Sequence, residues 1–144
     1  MDYQKSADFT NFELDTVPSI LIVDDDEDNR LLLQHTIAMF GWTSMAAANA
    51  LNAIKLAKTQ QPDLILLDIV IPNISGLQIA TMLKQYKSTS HIPLIAVTGL
   101  AELEEQSLIL ASGFNDYICK PFFLDKIYQA IASNLSLDLN YKHS

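Results

Sequence analysis

Three short runs of apolar residues stand out along the chain, and each is continuous rather than alternating with polar residues. They span residues 20–23, 64–67 and 94–97. Each run is too short for a helix and is followed by polar or turn residues. Continuous apolar runs of this length are typical of parallel strands that are buried on both faces of a sheet. Two weaker segments, 43–47 and 117–119, predict two further strands.

Apolar residues recur at helical spacing after each predicted strand, which predicts five helices. Asn49 suits the N-cap of the second helix, and Gly41 and Gly113 are stop signals after the first and the fourth. Strands and helices therefore alternate, and this alternation predicts a parallel sheet with helices on both faces. The predicted helices cover residues 30–40, 50–58, 77–86, 102–111 and 123–135.

The length of 144 residues is that of one ordinary domain. We expect this domain to occupy residues 18–136. The first 17 residues are polar and aperiodic, which predicts a flexible N-terminal arm. Residues 137–144 are interpreted as a short C-terminal tail.

The composition of the chain bears on its partners and on its cellular compartment. The net charge of -8 argues against nucleic acid as a direct partner, because phosphate backbones attract basic surfaces. Cys119 is the only cysteine, so an intrachain disulfide is excluded and a reducing compartment is favoured. No apolar run approaches the roughly 20 residues that span a bilayer, and the N-terminus lacks the layout of a signal peptide. These features predict a soluble, cytoplasmic protein without membrane contact.

Polar side chains follow four of the predicted strands. Asp24 and Asp25 come after the first strand, Asp68 ends the third, Thr98 ends the fourth and Lys120 follows the fifth. In open parallel sheets, ligands bind beyond the carboxyl ends of the strands. We therefore expect three carboxylates, a hydroxyl and an ammonium to meet at one edge of the sheet.

Carboxylates crowded in this way call for a hard divalent cation. Mg²⁺ takes oxygen ligands and leaves positions for phosphate oxygens. A carboxylate beside Mg²⁺ can attack a phosphoryl group and become an aspartyl phosphate. Lys120 would then supply positive charge to the phosphoryl oxygens, and Thr98 would supply a hydroxyl donor.

Four segments of the chain, in this order and at this spacing, resemble the receiver domain of two-component response regulators. The resemblance covers about residues 19–135. It implies a CheY-like, stand-alone receiver with a flavodoxin-like, doubly wound α/β fold: a five-stranded parallel sheet of strand order 2-1-3-4-5 and five helices. The segments are ILIVDDDEDNR, PDLILLDIVIPNISG, IPLIAVTG and GFNDYICKPF.

The resemblance also implies which residues form the site for phosphate and metal. Asp68 would be the phosphoacceptor. Asp24 and Asp25 would hold Mg²⁺ together with Asp68 and the main-chain carbonyl of Val70.

Further residues match positions that sense or retain the phosphoryl group in this family. Thr98 would be the switch hydroxyl, and Lys120 would pair with the acceptor or its phosphate. Tyr117 matches the aromatic switch residue, and Pro121 matches a proline that follows a cis peptide bond.

The resemblance assigns the lifetime of the phosphoryl group to Val70 and Leu100. Both are apolar, and neither side chain can orient a water molecule for attack. We therefore expect a phosphoryl group that lasts long for this family.

The implied function is phosphoryl transfer from a phosphohistidine, on a sensor histidine kinase or a histidine phosphotransfer protein, onto Asp68. The chain would catalyse its own phosphorylation without turning over a separate substrate. Phosphorylation would switch the surface made by the fourth helix, fifth strand and fifth helix, for binding of a target protein or for onward phosphorelay. We expect a monomer or a phosphorylation-dependent dimer.

Two other functions are consistent with parts of the sequence. A protein-interaction module that acts without phosphorylation should have lost an acidic residue, the acceptor or the lysine, and none is missing. A phosphatase of the haloacid-dehalogenase class needs a further acidic pair after the lysine. Beyond Lys120 only Asp125 and Asp138 remain, far apart, and Asp68 would be left unexplained.

Overall fold

The computed structural model describes residues 17–70, 75–99, 103–121 and 123–136, and it describes their side chains except those of 103–105. The predicted arm therefore lies outside the described residues apart from Val17. The predicted tail, 137–144, and Leu100 also lie outside them.

The described residues form strands and helices in alternation. The strands are β1 (Ser19–Val23), β2 (Thr43–Ala47), β3 (Leu64–Asp68), β4 (Leu94–Thr98) and β5 (Asp116–Cys119). The helices are α1 (Glu27–Met39), α2 (Ala50–Gln60), α3 (Gly76–Gln85), α4 (Leu103–Ala111) and α5 (Leu124–Asn134). No helix in the described ranges is both long enough and apolar enough to cross a membrane.

Helix α1 begins earlier than its apolar pattern indicates. Asp26 has extended backbone angles and its side chain accepts a hydrogen bond from the Asp28 N–H, so it is the N-cap. An N-cap of this kind satisfies one of the amide groups that the first helical turn leaves unpaired. The acidic first turn carries no apolar residue, which is why the periodicity misses it.

All pairs of neighbouring strands are parallel, and their order is β2-β1-β3-β4-β5. The flavodoxin-like fold with five helices is thus confirmed. The register pairs Val23 with Leu67 and Asp68 with Val97. The carboxyl ends of β1, β3 and β4 consequently lie side by side at one edge of the sheet.

The sheet is buried on both faces, and alternate residues of each central strand enter different core clusters. On β1, Leu21 and Val23 pack in the cluster that also contains buried residues of α2 and α3. Ile20 and Ile22 pack in the opposite cluster, with buried residues of α1 and α5. Because both faces need apolar side chains, the strands read as continuous apolar runs.

Candidate functional site

Three carboxylates converge at the carboxyl edge of the sheet. Asp24 directly follows β1, and Asp68 is the last residue of β3, the strand beside it. Each of Asp24, Asp25 and Asp68 offers an oxygen that lies within 4.8 Å of those of the other two. Asp24 and Asp68 are buried, with 2% and 5% of their surface exposed, whereas Asp25 is exposed.

Hydrogen bonds fix both the main chain and the side chain of Asp24. Its N–H donates to the carbonyl of Ala47 at 3.1 Å, and its carbonyl accepts from Nη1 of Arg30 at 2.9 Å. Its Oδ1 accepts from the N–H of Asp26 at 2.9 Å. This carboxylate therefore has a defined direction before any ligand binds.

The carboxyl of Asp24 is costly to ionise in this position. Burial raises the pKa of Asp24 above its ordinary value, and the negative charges of Asp68 and Asp25 act in the same direction. The hydrogen bond from Asp26 and the charge of Lys120 lower it without cancelling the rise. A cation bound among these carboxylates would favour the ionised form.

Both oxygens of Asp68 have a partner. Oδ1 accepts from the N–H of Val70 at 3.0 Å, and Oδ2 lies 3.3 Å from Nζ of Lys120. Among the residues that the structure describes, this is the only salt bridge. A buried carboxylate with such partners is positioned by its surroundings rather than free to rotate.

Thr98 and Lys120 are joined to each other as well as to the site. Thr98 ends β4 and is buried, with 3% exposed. The N–H of Lys120 donates to the carbonyl of Thr98 at 2.7 Å, and the register pairs Thr98 with Cys119. The Lys120–Pro121 peptide bond is cis. The structure thus brings Asp24, Asp25, Asp68 and Lys120 together and places the end of β4 beside Lys120.

The remaining predicted residues lie around this centre. Tyr117 is half-buried on β5, packs against one core cluster and lines a groove of about 520 Å³ between β5 and α5. The Val70 side chain is 72% exposed, and only its N–H is seen to contact Asp68. The predicted roles of the Val70 carbonyl, Tyr117 and Leu100 stay predictions.

Two residues near the carboxylates, Gly76 and Arg30, have no role assigned in the sequence analysis. A Cβ added to Gly76, at the start of α3, would overlap the carbonyl oxygen of Asp68 and lie 2.7 Å from Cα of Ile69. The N–H of Gly76 also donates to the carbonyl of Ile69 at 2.8 Å. The other is Arg30, which contacts the Asp24 carbonyl. The signal in the sequence is their place in the segments that resemble the receiver family, since Arg30 ends the first segment and Gly76 ends the second.

The donor set fits a hard divalent cation. It consists of carboxylate oxygens, which Mg²⁺ and Ca²⁺ prefer, without a histidine or thiolate that would indicate zinc. A cation bound among these residues would also offset the negative charges that, together with burial, raise the pKa of Asp24.

A sequence profile of the response regulator receiver domain matches residues 20–132. The chain belongs to this family. The polar-differentiation response regulator DivK of Brucella anthropi is 38% identical to this receiver domain over 117 residues, which cover 81% of this chain and 95% of DivK. The family expected from the sequence is therefore confirmed.

Solved structures agree with the fold of this receiver domain. The chemotaxis protein CheY4 of Vibrio cholerae superposes with a TM-score of 0.79 at 22% identity, covering 83% of this chain and all of that one. The receiver domain of a sensor histidine kinase from Pseudomonas aeruginosa gives a TM-score of 0.77 at 24% identity, over 84% of this chain and 99% of that one. That domain was solved with a magnesium ion coordinated in its active site cleft. The present chain is accordingly a receiver domain, a phosphoacceptor domain of signalling proteins.

Proposed function

We propose that this receiver domain takes a phosphoryl group from a phosphohistidine onto Asp68, the donor being a sensor histidine kinase or a histidine phosphotransfer protein. The observation that carries this proposal is the setting of Asp68. Its carboxylate is buried, hydrogen-bonded to Val70, ion-paired with Lys120 and close to two further carboxylates. No other described carboxylate combines these features.

The transfer itself exchanges one bond to phosphorus for another. A carboxylate oxygen of Asp68 attacks phosphorus, an O–P bond forms and the P–N bond to the donor imidazole breaks. The electron pair of that bond stays on the imidazole nitrogen, which then takes up a proton. The chain supplies the position of the nucleophile and the charge of Lys120, which are what phosphoryl transfer chiefly requires. In this sense it catalyses its own phosphorylation.

Asp24, Asp25 and Asp68, with the main-chain carbonyl of Val70, are the groups that would hold Mg²⁺. When bound, the ion supplies positive charge that offsets the charge of the carboxylates and of the phosphoryl oxygens. The oxygen-only donor set supports this assignment. So does the magnesium ion in the cleft of the Pseudomonas receiver domain.

The phosphoryl group would be sensed through Thr98 and Lys120. Its oxygens would accept from the hydroxyl of Thr98 and from Nζ of Lys120. The backbone hydrogen bond between these two residues supports a coupled movement, which would reach Tyr117 and the surface of α4, β5 and α5. That surface exposes Leu108, Leu110 and Phe123, which suits binding of a partner protein.

Phosphorylation would then shift an equilibrium between two forms of this surface, and a target that prefers one form would read the signal. We assign the receiver domain to residues 18–136 and place the chain in the cytoplasm, where a histidine kinase can reach it. A dimer through the same surface and onward phosphorelay are both compatible with this mechanism.

The test is the intact mass of the protein after incubation with acetyl phosphate, with and without Mg²⁺. We expect the mass of one phosphoryl group to be added only with Mg²⁺, and not in an Asp68→Asn variant. Asp125→Asn is the matched control, because this carboxylate is exposed and its hydrogen bond to Lys126 survives in asparagine. If acetyl phosphate with Mg²⁺ leaves the mass of the protein unchanged and beryllofluoride with Mg²⁺ leaves its spectrum unchanged, the hypothesis of a phosphorylation-independent interaction module is favoured.

The decay of the phosphorylated protein tests the lifetime argument. The side chain of Val70 is apolar and exposed, and Leu100 is also apolar, so neither can hold an attacking water. Replacing both by glutamine should accelerate hydrolysis. Fast decay in the natural protein, unchanged by these substitutions, would contradict the argument.

A further inference from the structure

Arg30 occupies an unfavourable place for a cation. It is the only arginine in the chain, and the other basic residues counted with it are all lysines. It follows Glu27 and Asp28 at the beginning of α1. The amino end of a helix carries a partial positive charge, so acidic residues are stabilising there and a cation is not. A favourable interaction elsewhere should therefore offset the unfavourable position of the Arg30 charge.

The guanidinium of Arg30 contacts the main chain of a predicted metal ligand. Side chains on a helix tilt toward its amino end, so Arg30 reaches back beyond the first turn. Its Nη1 donates to the carbonyl oxygen of Asp24 at 2.9 Å. The described residues contain no carboxylate in ion-pair distance of Arg30. Its role is therefore not that of an ordinary salt bridge.

This contact completes the support of Asp24. The N–H of Asp24 is bonded to Ala47, its carbonyl to Arg30 and its Oδ1 to the N–H of Asp26. Arg30 thus holds this residue through its main-chain carbonyl, next to the carboxylate that Asp26 orients.

We propose that Arg30 is a positioning residue for the metal site: it fixes the main chain of Asp24 so that the carboxylate faces Asp25 and Asp68. This inference rests on the proposed magnesium site. Groups that orient a metal ligand without touching the metal contribute to affinity, and their removal commonly weakens binding by about tenfold or more. A guanidinium suits the task because its donors lie in a rigid plane, whereas lysine presents a flexible point charge.

The experiment compares Mg²⁺ binding by the wild-type protein, Arg30→Gln and Arg30→Lys. Lys55→Gln is the matched control, because it removes the same charge from an exposed position on α2. Two amide signals in ¹⁵N-resolved NMR spectra follow the titration. The N–H of Asp26 reports on Asp24, and the N–H of Val70 reports on Asp68, since each is bonded to that carboxylate.

We expect the dissociation constant of Mg²⁺ to rise about tenfold in Arg30→Gln, less in Arg30→Lys and not at all in Lys55→Gln. In the metal-free protein, Arg30→Gln should move the amide signal of Asp26 and leave that of Val70 in place. A role in stability alone would lower the melting temperature without changing the affinity for Mg²⁺.

Each other outcome has a definite meaning. Wild-type affinity in folded Arg30→Gln, or an equal loss in Lys55→Gln, overturns the inference while the magnesium site stands. If Arg30→Gln does not fold, Arg30→Lys decides, and wild-type affinity in that variant also overturns it. If the wild-type protein shows no response to Mg²⁺ at either amide, the proposed magnesium site fails and the role of Arg30 fails with it.

Discussion

Replacing Asp24 by asparagine should stabilise the receiver domain in the absence of magnesium. Burial and neighbouring negative charges raise the pKa of Asp24, so its ionised form at neutral pH destabilises the folded state. Asparagine keeps an oxygen that can accept from the N–H of Asp26 and has nearly the same shape. The substitution therefore removes the charge and leaves the packing.

The distances at the site set the size of the effect. The oxygens of Asp24 and Asp68 lie within 4.8 Å of each other. Two like unit charges at that separation repel by about 3.5 kcal/mol in an effective dielectric constant near 20. Lys120, 3.3 Å from Asp68, offsets part of this repulsion. We therefore expect the free energy of unfolding to rise by about 1–2 kcal/mol, which corresponds to about 3–6 °C in Tm for a domain of this size.

Urea unfolding in the presence of a chelator is the assay. Trp42 is the only tryptophan, is buried and stacks on Tyr128 with the ring centroids 5.1 Å apart. It packs with α1 and α5 residues in one core cluster, so its fluorescence reports global unfolding rather than the substitution. Added Mg²⁺ should stabilise the wild-type protein more than Asp24→Asn, because the variant has lost one anionic ligand.

The pH dependence has a defined sign. Because the folded-state pKa of Asp24 is raised, the folded protein takes up this proton at a higher pH than the unfolded chain does. The penalty is complete at pH values above the raised pKa and disappears as the pH falls toward the ordinary value of 3.8. The advantage of Asp24→Asn should disappear over the same interval. A variant that is less stable than the wild type in chelator at neutral pH would refute this reasoning.

Three further substitutions test other parts of the site and fold. Gly76→Ala should lower the free energy of unfolding by about 1–3 kcal/mol and slow phosphorylation, because the new Cβ overlaps the main chain at Asp68. Its control in both the unfolding assay and the mass assay is Gly99→Ala, where a Cβ meets nothing within 4 Å. Lys120→Met should change stability in the opposite direction to Asp24→Asn. In urea without metal, it should lower the free energy of unfolding by about 1–3 kcal/mol, because the buried carboxylate of Asp68 loses its cation. Asn49→Ala should lower the free energy of unfolding by about 1 kcal/mol, because the Asn49 side chain caps α2 by accepting from the N–H of Asn52 at 2.9 Å. Phosphorylation of this variant, measured by intact mass, should be unchanged.

Much of the fold was predictable because the local pattern and the tertiary structure have the same cause. Strands β1, β3 and β4 are covered on both faces, so they appear in the sequence as continuous apolar runs. The alternation with helices then predicts parallel strands. It does not predict their order, which came from the resemblance alone, because many orders satisfy the same alternation.

The convergence of the site residues was also predictable from the sequence, but the contacts that support them were not. The rule that parallel strands end at one edge brings Asp24, Asp68 and Lys120 together without any knowledge of side-chain geometry. The contacts of Arg30 and Gly76 could not be predicted in this way. Both depend on how the starts of α1 and α3 pack against the strand ends, and periodicity carries no information on that packing.

The strand order also gives the site two unlike sides. Asp24 extends from β1, which has a neighbouring strand on each side. It donates a hydrogen bond to the carbonyl of Ala47 and accepts hydrogen bonds from Asp26 and Arg30. Lys120 follows β5, which is an edge strand with β4 as its one neighbour. When the charge of Asp68 changes, residues near β1 are therefore held in place more firmly than residues near β5. In the proposed mechanism, this asymmetry would keep the metal site fixed and would let the conformational change pass through Lys120 to the surface of α4, β5 and α5.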